Sequence, residues 1–319
     1  SRDGDTVVWM GTKNRQHILG HLGVLGRVVF PMSSAGPRES YHGDPLWDTL
    51  ADWADACRRQ GGLAVSVHFP YPAGEQAADT VLGKIDAVEL YPDYGLRFLH
   101  WYRSLNCGYR LPVVGGTDKM GAGTAVGENR TYAQLGGALV NQANWARAVR
   151  NGNTFLTTGP LLLFEADGRV PGQEIGLGQG GGNIEVLAQA RSTMPLHRVE
   201  VVWNGRVVAS RENHEGAREI TLKERVRVPG PGWLAARCSS KVRPRLLAHT
   251  SPVYVQVPGQ EVFSETAAAY MLTQIEAAQT WVETLATRPD RERFERIRKV
   301  FTDSQAILRR RLHEHGIKG

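Results

Sequence analysis

Apolar residues in the first half of the chain fall into short runs, separated by stretches that are apolar on one side only. The runs at 6–10, 22–25, 27–31, 63–68, 86–91 and 111–115 read as strands. Between them, 45–59 places Leu46, Leu50, Trp53 and Cys57 at spacings of three and four, which predicts an amphipathic helix. The stretch 95–107 does the same with Leu96, Leu99, Tyr102 and Leu105. A third such stretch, 139–150, is stopped by Asn151-Gly152. Strands alternating with helices predict βαβ units around a parallel sheet or barrel covered on both faces.

The pattern changes near Gly159-Pro160. From there to Gly259 no helical period is visible, and the runs 183–191, 198–203, 206–210, 218–228, 233–238 and 251–257 alternate or are β-branched. Asn204-Gly205 between two apolar runs predicts a hairpin. The expectation is a β-sandwich. The glycine-rich run 176–182 lacks the Lys-Ser/Thr of a phosphate loop and reads as a flexible connection. Beyond residue 261 the helical period returns. Ala267, Met271, Ile275, Ala278, Val282 and Leu285 form one stripe; Phe294, Ile297, Phe301, Leu308 and Leu312 form another, with Pro289 between them and Asp290 as an N-cap. That predicts a helical hairpin packed on another domain or subunit, and a route to a homo-oligomer. The expected domains are 1–158, 159–260 and 261–319.

Composition changes this picture little. The 319 residues suit about two domains, and 41% apolar with 22% charged is an ordinary globular balance. No run approaches the ~18 apolar residues of a membrane span. Cys57, Cys107 and Cys238 are too scattered for a disulfide framework or a CxxC site, and they leave the compartment open. The net charge of +6 admits an anionic partner. However, 290–319 holds nine Lys/Arg against five Asp/Glu, so +4 of the +6 lies in the last helix. A solvated or docking face fits that better than a nucleic-acid groove. The chain begins at Ser1 without a methionine or signal peptide, which reads as a fragment or a processed product.

Candidate chemistry gathers at strand ends. His68 ends one strand, Asp118 follows another in Gly115-Gly116-Thr117-Asp118, and His21 opens a third. In barrels of alternating strands and helices such positions form the active face. Two imidazoles and a carboxylate suit zinc, manganese or iron. Ser66 and His68 share one face of one strand, too far apart for a nucleophilic pair, and there is no Gly-x-Ser-x-Gly elbow. His17 and His42 are spare candidates.

Gly20-His21-Leu22-Gly23-Val24-Leu25-Gly26, Val67-His68-Phe69-Pro70, Asp86-Ala87-Val88-Glu89-Leu90-Tyr91 and Gly115-Gly116-Thr117-Asp118 occur in this order. Together they resemble successive motifs of the polymerase and histidinol phosphatase (PHP) superfamily of metal hydrolases, and of its CehA/McbA-like branch in particular. The stretch 101–112, Asn129-Arg130-Thr131-Tyr132, 154–160, 232–237 and 248–254 add to the likeness, which covers roughly residues 10–260. The resemblance implies a distorted (β/α)7 barrel carrying divalent metal ions. It implies hydrolysis of a small-molecule ester, carbamate or amide by a metal-activated water. It also implies His21, His68 and Asp118 as metal ligands, with Glu89 in support. Lys119 and Arg130 are the candidate catalytic contacts to substrate, and His249 is structural.

The chain departs from the family pattern as well. No His-x-His precedes His21, and the pair in His313-Glu314-His315 lies in a basic helix. Lys13, in Gly11-Thr12-Lys13, stands where the family has a glutamate ligand. An ammonium cannot ligate a cation, but it can mimic one or bind an anion. Asp118 is followed by Lys119-Met120 in place of an x-His pair. The expected architecture is therefore a partial or distorted barrel, then a β-sandwich and a C-terminal helical hairpin, with a missing N-terminal segment or second chain completing the barrel. Three functions follow: a metal-dependent hydrolase, a phosphatase or nuclease of the same superfamily, or a degenerate barrel that binds or scaffolds without catalysis.

Overall fold

A computed structural model describes residues 2–3, 6–9, 11–16, 19–26, 48–71, 74–92, 95–241, 245–284 and 291–316. His17, His42, Leu46, Leu285, Pro289, Asp290 and the expected strand 27–31 lie outside the described residues. Two compact units divide the chain. The first takes in Ser1–Val88, Val140–Ala146 and Phe263–Gly319; the second takes in Glu89–Leu139 and Arg147–Val262.

The chain opens with β1 (Arg2–Asp3), β2 (Thr6–Val7), β3 (Gly11–Gln16) and β4 (Gly20–Leu25), then α1 (Leu50–Arg59), β5 (Leu63–Val67), α2 (Gln76–Val81) and β6 (Ala87–Glu89). It continues through α3 (Gly95–Asn106), β7 (Val113–Val114), β8 (Arg130–Ala133), α4 (Gln142–Arg150) and β9 (Thr154–Thr157). Then come β10 (Leu161–Ala166), β11 (Glu174–Gly176), β12 (Gly182–Trp203), β13 (Arg206–Val228), β14 (Gly232–Ser240), β15 (Arg245–Thr250) and β16 (Val253–Gln256). Two helices close it, α5 (Glu265–Thr284) and α6 (Arg291–Glu314).

In the first unit the strands lie in the order β3-β4-β5-β6. The expected (β/α)7 barrel does not form. β3 pairs antiparallel with β4, and β4 antiparallel with β5; of these neighbours only β5 and β6 run parallel. Three residues separate β3 from β4, whereas a parallel crossover needs a dozen or more. A capping box starts α1: the Asp52 amide donates to Thr49 Oγ1 and the Thr49 amide to Asp52 Oδ2, each at 3.0 Å. Its buried face carries Leu50, Trp53, Ala54 and Cys57. The α5 stripe of Ala267, Met271, Ile275, Ala278 and Val282 is buried, as are Ile297, Phe301, Leu308 and Leu312 of α6. The two helices pack on each other and α6 packs on α2, so the stripes that suggested a homo-oligomer are covered within the unit. Acids of α5 also meet the basic face of α6, with Arg309 2.7 Å from Glu276 and Arg298 3.0 Å from Glu283.

The second unit is built on a nine-stranded mixed sheet. Its main path runs β10-β12-β14-β15-β9-β8; β13 lies beside β12, and β16 joins β14 to β11. β8 and β9 come from before residue 159, so the all-β part is one sheet that crosses the expected sandwich boundary. Asn204 and Gly205 adopt positive φ (48° and 85°) and form a two-residue turn, with Trp203 paired to Arg206. The two strands expected at 183–191 and 198–203 are a single β12. Its pairing with β13 shifts register between Arg191 and Leu196 and again before Arg198, around Pro195, which has no amide to donate. Along β10, Leu162, Phe164 and Ala166 are buried, while Leu161, Leu163 and Glu165 face solvent. On α3 the buried face is Phe98, Trp101, Tyr102 and Leu105; Leu99, expected on it, is 48% exposed. Among the described residues no helix is long and apolar enough to cross a membrane.

Candidate functional site

Three neighbouring strands of the first unit bring Lys13, His21 and His68 together. In register, Lys13 of β3 faces Gly23 of β4, and His21 of β4 faces Val67 of β5. Gly23 carries no side chain to block the lysine stem. His68, the first residue past β5, takes a left-handed backbone with φ 58°, which costs a non-glycine residue about 1–3 kcal/mol and is held only where its surroundings fix it. Gln76 at the start of α2 supplies that fixing: its amide nitrogen donates to the Val67 carbonyl at 2.7 Å, and its oxygen accepts from the Tyr71 amide at 2.6 Å. The turn 68–71 is thereby tied at both ends.

Within this cluster, Lys13 Nζ lies 2.8 Å from His68 Nε2. The His21 and His68 rings meet edge to face with centroids 5.4 Å apart, and Tyr71 stacks on His21 at 6.1 Å. Lys13, His21 and His68 are each half-buried, and Tyr71 is at the surface. The arrangement does not fit a divalent cation. An ammonium already occupies the His68 Nε2 lone pair, and its charge opposes a second cation beside it. Among the described residues no three His, Cys, Asp or Glu side chains gather in a metal-binding group.

The other expected site residues belong to the second unit. Asp118 is exposed and has φ 46°. The Lys119 ammonium donates to the carbonyls of Gly121 (2.8 Å) and Thr124 (2.5 Å) of its own loop. Arg130 likewise donates to the carbonyls of Gly127 (2.9 Å) and Gly159 (3.1 Å), with its guanidinium over the Tyr132 ring. Asn129 bonds the Leu90 and Gly116 carbonyls. The Glu89 carboxylate packs so close to Gly116 that a Cβ there would lie 2.2 Å from Oε1. The Asn129-Arg130-Thr131 motif is thus a set of loop ties. Sequence reasoning passed over Tyr71 and Gln76, whose only signal was their position within a few residues of His68-Phe69-Pro70.

His249 lies in a closed polar network of the second unit. Its Nδ1–H donates to the Thr250 carbonyl at 2.8 Å, and its Nε2 accepts from Tyr102 Oη at 2.6 Å. Arg237 bridges Tyr102 and Glu200, at 3.4 and 2.5 Å. Phe98 stacks on the imidazole and Trp101 meets it edge-on. Burial pushes His249 down to about 3 and the Tyr102 phenol up to about 12, so both are neutral. The two buried, neutral groups tie α3 to β15.

No protein-family model matches the chain, and no curated protein matches it. Similar solved structures include the sulfur carrier protein SoxY from Chlorobium limicola f thiosulfatophilum, at 14% identity over 30% of this chain and 77% of that one, with a TM-score of 0.22. Fibronectin(III)-like modules of Clostridium thermocellum CbhA are 20% identical over 30% of this chain and 94% of theirs, also at 0.22. A lytic polysaccharide monooxygenase of Jonesia denitrificans is 14% identical over 40% of this chain and 77% of its own, again at 0.22.

Proposed function

We propose that this chain acts by binding and not by metal-dependent hydrolysis, with the Lys13–His21–His68 cluster receiving the anionic group of a small-molecule ligand. One observation carries this reading: the 2.8 Å contact from Lys13 Nζ to His68 Nε2. It sets a fixed positive charge where the family resemblance would set a metal ion. A half-buried ammonium flanked by imidazoles and rimmed by a tyrosine suits a carboxylate or phosphate, which gains charge-assisted hydrogen bonds there. The strained backbone at His68 supports a functional role for this turn.

A second reading retains the metal-dependent hydrolase of the PHP superfamily, acting on an ester, carbamate, amide or phosphoester. The pairing of His21 with His68 at 5.4 Å favours it. It requires Lys13 to leave His68. One experiment separates the two. Purified protein is reconstituted with zinc and with manganese, its metal content is measured, and it is assayed on carbamate, aryl-ester, phosphomonoester and phosphodiester panels. Calorimetry with inorganic phosphate and with acetate runs alongside. The binding reading expects less than ~0.1 metal per chain, no turnover, and anion binding at least ten-fold weaker in Lys13→Met. Stoichiometric metal with hydrolysis lost in His68→Ala would overturn it in favour of the hydrolase.

A further inference from the structure

The first unit contains a cleft of ≈590 Å³ between the end of α1 and the start of α4. Trp9 lines it, 37% exposed. Gln60, Asn141 and Gln142 bring three carboxamides to it, and its other described lining residues are Gly26, Gly61, Ala143 and Ala146. Its size falls within the ~300–1,000 Å³ of small-molecule sites.

We infer that this cleft binds a neutral saccharide, with a pyranose ring laid on the Trp9 indole and its hydroxyls met by the carboxamides. The chemistry of the walls leads to this class. None of the described residues lining the cleft is charged, so among them a phosphate, carboxylate or ammonium meets no counter-charge. A wholly apolar ligand would instead cover polar carboxamides without adding hydrogen bonds to them. A pyranose has what the cleft lacks: an apolar C–H face for a flat aromatic ring and a rim of hydroxyls that both donate and accept. Carboxamides match such hydroxyls because each offers two N–H donors and a carbonyl acceptor.

One of the three carboxamides is also held in place. Asn141 Oδ1 caps α4 by accepting from the Asn144 amide at 2.8 Å, which fixes the side chain's orientation. Gln60 ends α1, its amide bonded to the Cys57 carbonyl at 3.1 Å. Gly61 follows in the left-handed conformation, φ 75°, with open space where a Cβ would stand. The Asn141 carboxamide is thus ordered before a ligand arrives, which lowers the cost of binding to it.

Saturation-transfer NMR and calorimetry with glucose, galactose, maltose and cellobiose test this. At least one sugar should bind saturably, at least ten-fold more weakly in Trp9→Ala, with Trp9→Phe intermediate and Gln142→Ala weakened. Tyr132→Ala, an exposed ring of the second unit, and Lys13→Met should bind like wild type, so failure here is distinct from failure of the anion site. Circular dichroism confirms that each variant is folded. Absence of saturable binding to all four sugars up to ~50 mM, a level weaker than about −2 kcal/mol, would overturn the inference. So would binding that Trp9→Ala leaves unchanged.

Discussion

Lys13 Nζ donates to His68 Nε2 across 2.8 Å, from the third strand of the first unit to the turn that ends the fifth. A lysine ammonium carries three donors and no acceptor, so Nε2 must be the bare nitrogen and the proton must sit on Nδ1. Long-range proton–nitrogen correlation spectra should therefore show His68 Nε2 unprotonated at neutral pH. In Lys13→Met that nitrogen loses its donor and its resonance shifts. An Nε2–H tautomer in the wild-type protein would contradict the contact.

Glu75 and Asp79 form a buried acid pair in the same unit. Glu75 accepts from the Leu50 and Ala51 amides at the start of α1, each at 2.9 Å. Burial pushes Glu75 up to about 7. Burial first, and the Glu75 charge second, hold Asp79 well above the usual carboxylate range, against the pull of Lys84, which lies 2.6 Å from Asp55. A folded-state pKa raised this way means the folded protein keeps protons that the unfolded chain releases. The stabilisation is complete below the ordinary carboxylate pKa of about 4.3 and is lost as pH rises through about 7, on the order of 3 kcal/mol for Glu75 alone. Asp79→Asn removes one of the two charges. Its urea midpoint should match wild type near pH 4 and exceed it at pH 8.5; equal midpoints at both values would refute the pairing.

What could be read from the chain follows a physical line. The helices α1, α4, α5 and α6 were legible because burial of one face imprints a 3.6-residue period, and Met271, Ile275 and Phe301 lie where that period puts them. The hairpin at Asn204-Gly205 was legible because a two-residue turn needs positive φ. β3 was not: Gly11-Thr12-Lys13-Asn14-Arg15-Gln16 has no apolar alternation, and losing it hid the antiparallel pairing that rules out the barrel. Strand direction is set by connection length and neighbours, which a list of apolar runs does not contain. For the site, His21 and His68 were found as strand-end residues, and Lys13 was flagged as an ammonium in a carboxylate's place. The work of Lys119 and Arg130 on backbone carbonyls left no trace, since a loop tie and a substrate contact call for the same cation.

That difference is measurable at Lys119. Its two bonds to the Gly121 and Thr124 carbonyls hold the loop after β7 closed. Each is worth about 1 kcal/mol at an exposed position. Lys119→Met should speed amide hydrogen exchange within 118–128 several-fold while leaving β8 and β9 unaffected. Unchanged exchange in that loop would mean that the bonds do not hold it.

Burial of His249 gives the second unit the opposite pH response from the acid pair. His249 is fully buried between Phe98 and Trp101, and burial pushes it down to about 3. The unfolded chain takes up a proton on this imidazole near pH 6.5, and the folded one does not until about 3, so stability is lost as pH falls through that window. Tyr102→Phe leaves the Nε2 lone pair buried without its donor, at a cost of about 1–3 kcal/mol at pH 7. It should keep the acid limb, because His249 still titrates from a buried position. His249→Leu should cost more at pH 7 than Tyr102→Phe, since it takes the acceptor from the Tyr102 O–H, which then keeps only the Arg237 contact, and the Nδ1–H donor from the Thr250 carbonyl, yet its stability should fall less steeply between pH 6.5 and 4. Urea melts of both variants at pH 7, 5.5 and 4 measure the two slopes. Equal slopes in wild type and His249→Leu would show that this imidazole is not the group that acid reaches.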